Sequence, residues 1–441
     1  MTADADLVQR RSVLMARRVA AKLGIADTGQ IQTLRDAYLV TYRFPAAMMV
    51  RVADDMLADL REDVASRHVD RVVALGRDGH HLALAMIRLD PNFTRRHVSN
   101  VVLPRALVEN ALQDLERHHG REFPQVDGFR RVAPRVDPAD TVGGLQVLTR
   151  YLQGHSVPVG QPGSRVTVFD TSFKGTVQEL LAATYPDTTF VGRYAFHGES
   201  PYDPHPGSKK GYEVHLSARE SRQGRPFYEL PADESKTFAH QLALNSIEEL
   251  LDGPMSSAVR FGAHGPEQTG QRHQPDLLDG LSRGRMSPRL RNLRVREGVK
   301  VMNIRAVVDL AQDAASLRDA GGNYRTWLDD WAGQYRAEIR AWIVDAPTNP
   351  QLAEFLNSFV HRTDKQQADS LQKALDRAHI PERDRMAVWV AYERCGSDND
   401  KAVFVENVLN STRSIGGGDG RRGDARPRGR VDGPRESGRD L

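Results

Sequence analysis

The segment of residues 166–181, VTVFDTSFKGTVQELL, combines the residue types that bind an anion. An apolar strand is predicted to end at Asp170, and a short polar loop leads from there into a helix. Gly175 permits a backbone with positive φ, and the first N–H groups of the helix have no partner within it. Four side chains would add a charge and hydrogen bonds: Thr171, Ser172, Lys174 and Thr176. The segment predicts a phosphate site, and the alternative is a simple strand-to-helix turn whose aspartate caps the helix.

Residues 71–89, RVVALGRDGHHLALAMIRL, repeat this design. A short apolar strand over residues 72–75 is followed by a polar turn and then by an apolar helix. The turn consists of Gly76, Arg77, Asp78 and Gly79. Because the carboxyl ends of parallel strands meet at one edge of a sheet, where ligands bind in open α/β folds, both turns are predicted to face the same ligand.

Two more predicted strands bring ionisable residues to that edge. The strand over residues 98–103 ends before Arg105, and the strand over residues 189–196 ends before His197. In a mainly parallel sheet, six side chains would then share one rim: Arg77, Asp78, Arg105, Asp170, Lys174 and His197. For His197, a role as a general base and a role as a hydrogen-bonded loop residue both stay open.

The overall composition narrows the class of protein. The chain has 441 residues, a formal charge of +3 and a single cysteine, Cys395. This length predicts about two to three domains. The small charge predicts no nucleic-acid-binding stripe on the folded part, and the single cysteine excludes an internal disulfide. No apolar run approaches the roughly 18 residues of a membrane span, so we expect a cytoplasmic protein without membrane contact.

Four regions are predicted along the chain. Residues 1–66 form helices that pack on the core, and residues 67–284 form a Rossmann-like α/β domain with a mainly parallel sheet and a helical insertion at residues 106–164. Residues 285–412 form a helical domain. Residues 413–441 contain almost no apolar side chains and are predicted to be a disordered, solubilising tail with at most weak affinity for nucleic acid. The insertion is predicted either as a lid over the ligand edge or as a simple loop elaboration.

Other kinds of site are not supported. The pairs His80–His81 and His118–His119 are neighbours in sequence, so their side chains do not converge on one metal ion. The sequence contains neither GxSxG nor GxxxxGK(S/T), so it does not support a serine hydrolase or a Walker ATPase.

The two loops resemble those of the type I phosphoribosyltransferase fold. VTVFDTSFKGT is similar to the loop that cradles the 5-phosphate of phosphoribosyl diphosphate, and VVALGRDGHHLALA is similar to the turn that meets the diphosphate. The resemblance implies that Asp170 faces the ribose hydroxyls, residues 172–176 the phosphate and residues 76–79 the diphosphate. Thr171 stands where the family usually has a second acid, and the loop is a residue short.

A second resemblance, over roughly residues 45–365, is to a module of bacterial polysaccharide-cluster proteins classed as predicted HAD-superfamily hydrolases. It rests on ALGRDGHHLALA, DTSFKGTVQELL, VGRYAFHG and IEELLDGPMSS. The nucleophile motif DxDx(T/V) of the HAD domain is missing, so the resemblance implies a shared Rossmann-like module and no hydrolase activity.

Two functions are predicted for this site. As a glycosyl- or phosphoribosyltransferase, the chain would use Asp170 and Asp78 as catalytic carboxylates, with Mg²⁺ held through Asp170. The alternative is a non-catalytic sensor of a phosphorylated sugar or nucleotide, or an accessory protein of polysaccharide or secondary-metabolite biosynthesis. The predicted phosphate-binding residues are Gly76, Arg77, Gly79, Arg105, Thr171, Ser172, Lys174, Gly175 and Thr176.

Overall fold

The computed structural model describes residues 5–171, 173–222, 229–262, 265–274, 277–278, 280–282, 284–361, 364–395 and 398–416. Contacts between residues divide the chain into two compact units, residues 1–362 and residues 363–441. The first unit contains a five-stranded sheet, and the elements described in the second unit are helices.

Five parallel strands form the sheet of the first unit. They are β1 (Arg71–Gly76), β2 (Val98–Val102), β3 (Arg165–Asp170), β4 (Thr189–Gly198) and β5 (Lys209–Leu216). Their order across the sheet is β2-β1-β3-β4-β5. The four strands predicted from the sequence are present and parallel, which confirms an α/β fold compatible with the Rossmann-like class.

Helices cover both faces of this sheet, as buried parallel strands require. The helices of the first unit are α1 (Ala5–Leu23), α2 (Thr28–Arg43), α3 (Pro45–Ala65), α4 (His80–Leu89), α5 (Pro91–His97), α6 (Arg105–His119), α7 (Gly144–Gly154), α8 (Thr176–Thr184), α9 (Ala218–Arg222), α10 (Gln241–Leu251), α11 (Leu293–Asp319), α12 (Tyr324–Ile343) and α13 (Pro350–Phe359). Val72 and Ala74 of β1 belong to a core shared with α3, α4 and α11. Val73 and Leu75 belong to a second core, shared with α6, α7 and α8. The alternation along β1 therefore places one apolar set on each face.

Strand β5 was not predicted from the sequence. Its residues, KKGYEVHL, lie in a segment that is rich in Gly, Pro, Ser and His and that looked like a loop. Two of its charged side chains are buried because they are paired: Lys209 binds Asp203 and Glu179, and Glu213 binds arginines of α3 and α12. The charged residues therefore made this strand hard to predict from the sequence.

The connection from β4 to β5 has an unusual form. Two parallel neighbours are joined by residues 199–208 without a helix, whereas parallel crossovers usually take a dozen residues or more. The ammonium of Lys209 donates to the carboxylate of Asp203 at 2.8 Å, and His205 Nδ1 lies 2.7 Å from Glu179 of α8. These contacts fasten the short crossover to the helix beside it.

Three helices form the described part of the second unit: α14 (Lys365–Arg377), α15 (Glu382–Glu393) and α16 (Asp398–Gly416). They enclose a small core that includes Leu371, Trp389 and Tyr392. Helix α16 continues to Gly416, four residues into the segment 413–441 that is predicted to be a disordered tail. Residues 417–441 lie outside the described residues. A small antiparallel pair in the first unit, β6 (Phe261–Gly262) and β7 (Gly265–Pro266), completes the fold.

In the part of the chain that the structure describes, every helix is too short or too polar to cross a bilayer.

The first prediction concerns Gly79, where β1 and β3 meet. A Cβ atom at this position would lie 2.6 Å from the Leu75 carbonyl oxygen and 2.9 Å from that of Phe169, so Gly79→Ala should lower the free energy of unfolding by roughly 2–3 kcal/mol. Gly333→Ala is the matched control, because this residue of α12 has open space around it and alanine should stabilise its helix by about 0.5–1 kcal/mol. Urea denaturation measures both values. Equal stability of the two variants would contradict the tight packing inferred at Gly79.

Candidate functional site at the ends of β1 and β3

The order of the strands places the two predicted loops next to each other. The chain moves from β1 to β2 in one direction and from β3 onward in the other, so the order reverses between β1 and β3. In open α/β sheets, the crevice at such a reversal is where ligands bind. The turn of residues 76–79 follows β1, and the loop of residues 171–175 follows β3. The structure therefore brings the two halves of the predicted site together.

A hydrogen bond joins these two loops directly. The hydroxyl of Thr171 donates to the backbone carbonyl of Asp78 at 2.7 Å. Thr171 is fully buried, so its hydroxyl fixes one loop against the other and is not open to a phosphate. The peptide bond between Gly76 and Arg77 is cis.

Asp170 is the most perturbed carboxyl group of the site. The residue keeps some exposed surface, but protein atoms surround its carboxyl group, and this burial is the largest cause that raises the pKa of Asp170 well above its ordinary value. The carboxylates of Asp78 and Glu248 raise that pKa further, whereas the N–H of Thr171, at 2.8 Å, and the guanidinium of Arg105 oppose the rise. Carboxyl groups with such raised pKa values cluster at functional sites.

Arg77 is directed away from the position predicted for it. Its guanidinium forms ion pairs with Asp252 at 2.9 Å and with Asp78 at 3.1 Å. Burial opposes the charge, but these two carboxylates outweigh burial and raise the pKa of Arg77. Arg77 therefore ties the turn to the C-terminal end of α10, and its charge is already neutralised before any diphosphate binds.

Sequence reasoning missed the charged network beyond Arg77. Asp252, at the C-terminal end of α10, also accepts from the ammonium of Lys300 on α11 at 2.6 Å. Nearby, Glu249 pairs with His361 at 3.1 Å, and this hydrogen bond is the largest cause of the raised pKa of His361. The segment IEELLD resembles part of another module, but nothing in a single sequence links residues 77, 252 and 300.

Gly175 has the conformation predicted for it, with φ of 67°. It also has a second role, because a Cβ atom there would lie 2.6 Å from Lys209 Cε and 2.9 Å from the hydroxyl of Tyr194. Replacing Gly175 would therefore disturb the packing below the loop as well as any ligand above it. Thr176 is the first residue of α8, and Ser172 lies outside the described residues.

Three cations lie at the surface around this loop. Lys174 is exposed, and burial of its stem together with the guanidinium of Arg131 lowers the pKa of Lys174. Arg131 belongs to the predicted insertion, and Arg105 begins α6. Among the described residues, none of these three side chains forms an ion pair with a carboxylate. Unlike Arg77, Lys174 and Arg131 keep their charge available to an anion, whereas Arg105 also attracts the carboxyl group of Asp170.

His197 lies within β4 and is 1% exposed. Its Nδ1 donates to the carbonyl of Phe173 at 2.9 Å, and burial lowers the pKa of His197 to about 4. The ring supports the loop from below. A role as a general base stays a prediction.

Metal ligands do not cluster here within the described ranges: no three His, Cys, Asp or Glu side chains are arranged to hold an ion. Asp170 and Asp78 could together supply two carboxylate ligands to a metal ion.

No family model, curated protein or solved structure matches this chain in the comparisons.

The raised pKa of Asp170 predicts how stability depends on pH. A carboxyl whose pKa is higher in the folded than in the unfolded chain loses stability as pH rises from the unfolded value, near 3.8, through the folded value. Asp170→Asn keeps an oxygen that can accept from the N–H of Thr171 but carries no charge. We therefore expect its melting temperature, relative to that of the parent protein, to be higher at pH 8 than at pH 4. A difference that is constant across this range would contradict the buried ionisable carboxyl.

The network beyond Arg77 predicts a large effect at Lys300. The side chains of Lys300 and Asp252 are 4% and 2% exposed, so Lys300→Met should leave a buried carboxylate poorly compensated and cost roughly 3–5 kcal/mol. Lys210→Met is the matched control, because Lys210 is 51% exposed in its pair with Asp59 and should cost less than about 1 kcal/mol. Chemical denaturation at pH 7 measures the free energy of unfolding of both variants. Similar losses would show that the buried pair stabilises the fold no more than the exposed pair does.

Proposed function

We propose that this chain is a phosphoribosyltransferase-like protein that binds a phosphorylated sugar or nucleotide in the crevice between the ends of β1 and β3. The observation that carries this proposal is the direct junction of the two loops, with Thr171 bonded to the carbonyl of Asp78 and Asp170 buried beside them. We also propose that the α/β fold is of the phosphoribosyltransferase-like type.

An anion is the ligand that the surface charges favour. Lys174, Arg131 and Arg105 bring positive charge to the mouth of the crevice without carboxylate partners among the described residues. The N-terminus of α8 adds backbone N–H groups and the positive end of its helix dipole. Burial lowers the pKa of Lys174, and the nearby guanidinium of Arg131 lowers it further, so the two cations repel each other. A bound phosphate would offset that repulsion.

The acids favour transfer chemistry at a sugar. An oxocarbenium-like centre is stabilised by a nearby carboxylate, and a carboxyl with a raised pKa can hold a proton near neutral pH. Asp78 and Asp170 would take these two parts. If Mg²⁺ takes part instead, Asp78 and Asp170 would hold it as ionised carboxylates, with ligand phosphates and water supplying the remaining oxygens, as is common for this ion.

A specific observation favours the alternative, a sensor without turnover. Thr171 stands where the resembled family has a second acid, and its hydroxyl is already used between the loops. The site then lacks one negative group that would face the sugar.

Calorimetry with the full chain tests the anion site. Phosphoribosyl diphosphate, ribose 5-phosphate and nucleotides are titrated into the parent protein and Lys174→Ala, which should bind about ten- to a hundredfold more weakly because a hydrogen bond to a charged group is lost. Lys22→Ala, an exposed lysine at the end of α1, is the control for charge and should bind as the parent does. If Lys174→Ala binds every phosphate ligand as tightly as the parent, the proposed site is wrong.

Asp170→Asn separates the two functions at the same site. In a transferase it should reduce turnover much more than binding, because the cations and N–H groups remain. In a sensor the parent protein shows binding without product, and Asp170→Asn binds nearly as well.

A further inference from the structure

Both ring nitrogens of His361 face hydrogen-bond acceptors. The residue follows α13, and its backbone forms an isolated antiparallel bridge with Leu281. Its Nδ1 lies 3.2 Å from the backbone carbonyl oxygen of Gly280, and its Nε2 lies 3.1 Å from a carboxylate oxygen of Glu249 on α10. Because a carbonyl oxygen can only accept, Nδ1 carries a hydrogen in this arrangement.

Glu249 is an acceptor as well. Burial disfavours its charge, but the hydrogen bond from His361 and the nearby cations Lys300 and Arg77 outweigh burial and lower the pKa of Glu249. Its carboxylate is therefore ionised at neutral pH, and Nε2 of His361 must donate to it. With both nitrogens donating, the ring is an imidazolium, in agreement with the pKa of His361, which this hydrogen bond raises.

A series of ion pairs leads from this ring to the turn after β1. Glu249 lies 3.8 Å from the ammonium of Lys300, which lies 2.6 Å from Asp252. Asp252 pairs with Arg77 at 2.9 Å, and Arg77 pairs with Asp78 at 3.1 Å. Including the ring, positive and negative groups alternate along the series, with three of each. The series is neutral as long as the ring keeps its proton.

Loss of that proton would change the series in two ways. It would leave one uncompensated negative charge beside the turn that forms the phosphate crevice, where it repels an anion. Glu249 would also lose a partner and attract Lys300 and Arg77 more strongly, and these two cations hold the turn through Asp252. Both changes disfavour the binding of a phosphate group.

The other charged groups nearby titrate at different pH values. Arg296 of α11 donates to the carbonyl of Ser358 at 2.6 Å, and burial lowers its pKa to about 10. Burial raises the pKa of Asp252 to about 6. In the crevice itself, burial and Arg131 lower the pKa of Lys174. A comparison of a His361 variant with the parent protein at one pH cancels these contributions, because both proteins share them.

We propose that the proton on His361 regulates the phosphate crevice: the imidazolium completes the charged series that holds the turn, and its loss weakens the binding of a phosphorylated ligand. This regulation rests on the function proposed above. Because the pKa of His361 is raised above 6.5, the favourable effect is present below that pH and is lost as pH rises through the folded value. Protonation and ligand binding should strengthen each other by the same factor.

Histidine spectra and calorimetry on the full chain test this linkage. Nitrogen-15 spectra locate the midpoint at which His361 loses its proton, and phosphoribosyl diphosphate or ribose 5-phosphate is then titrated one pH unit below and one above it. Below the midpoint, His361→Gln should bind about three- to tenfold more weakly than the parent, because the charge is missing. Above the midpoint the two should bind nearly equally. His361→Arg, whose charge does not titrate, should bind more tightly than the parent there.

The parent protein alone gives a second measurement, which needs no variant to fold. Saturating ligand should raise the midpoint of His361 by about 0.5–1 pH unit, the logarithm of the same factor. An unchanged midpoint would contradict the linkage.

His155→Gln is the matched control. Its Nδ1 also faces a backbone carbonyl, that of Tyr151 at 2.9 Å, but no carboxylate of the described residues pairs with the ring. It should bind as the parent does at both pH values, and melting curves establish that each variant is folded. If folded His361→Gln binds as the parent does below the midpoint, the regulation is wrong and the proposed function stands. If the parent binds no phosphate ligand at either pH, the proposed function fails, and this regulation fails with it.

Discussion

The turn at residues 76–79 is fixed on two sides, and the arrangement of the site depends on this constraint. On one side the hydroxyl of Thr171 donates to the carbonyl of Asp78. On the other the guanidinium of Arg77 is bonded to Asp252, which in turn holds Lys300. The first contact reaches the loop after β3, and the second reaches α10 and α11. The turn therefore connects the sheet to the helices packed beside it.

This turn brings ionisable groups into buried surroundings, where carrying a charge costs free energy. Asp170 and Asp252 lie in surroundings that disfavour their charge, and burial raises the pKa of Asp252 to about 6 against the opposing ammonium of Lys300. Several other buried acids are compensated by cations, as Glu213 is by Arg51 and Arg336. Asp170 differs because its nearest charged neighbours include like charges. Carboxyl groups perturbed in this way cluster at functional sites, which is why the proposed ligand crevice is placed at this end of β3.

The sequence predicted those features that are encoded locally. The strands at residues 72, 98, 166 and 190 were found because their apolar runs are short and continuous, and the positive φ of Gly175 was expected from its place in the loop. Strand β5 was missed because its buried charges depend on partners elsewhere in the chain. For the same reason the pairing of Arg77 with Asp252 could not be anticipated, since 175 residues separate the two. The position of His197 could not be predicted either. Only the fold shows that its ring, within β4, donates a hydrogen bond to the carbonyl of Phe173.

Helix α11 has a consequence for how much of the chain must fold together. At 27 residues it is about 40 Å long. Near its start Lys300 holds Asp252, and further along Asp309 and Asp313 accept hydrogen bonds from Tyr38 and Tyr42 of α2. A fragment that began at the first strand would leave those two carboxylates without their phenolic donors. Both carboxylates belong to α11, the helix that positions Arg77 through Lys300 and Asp252. The N-terminal helices therefore hold in place the helix that positions Arg77, and an α/β core without them would lack these contacts.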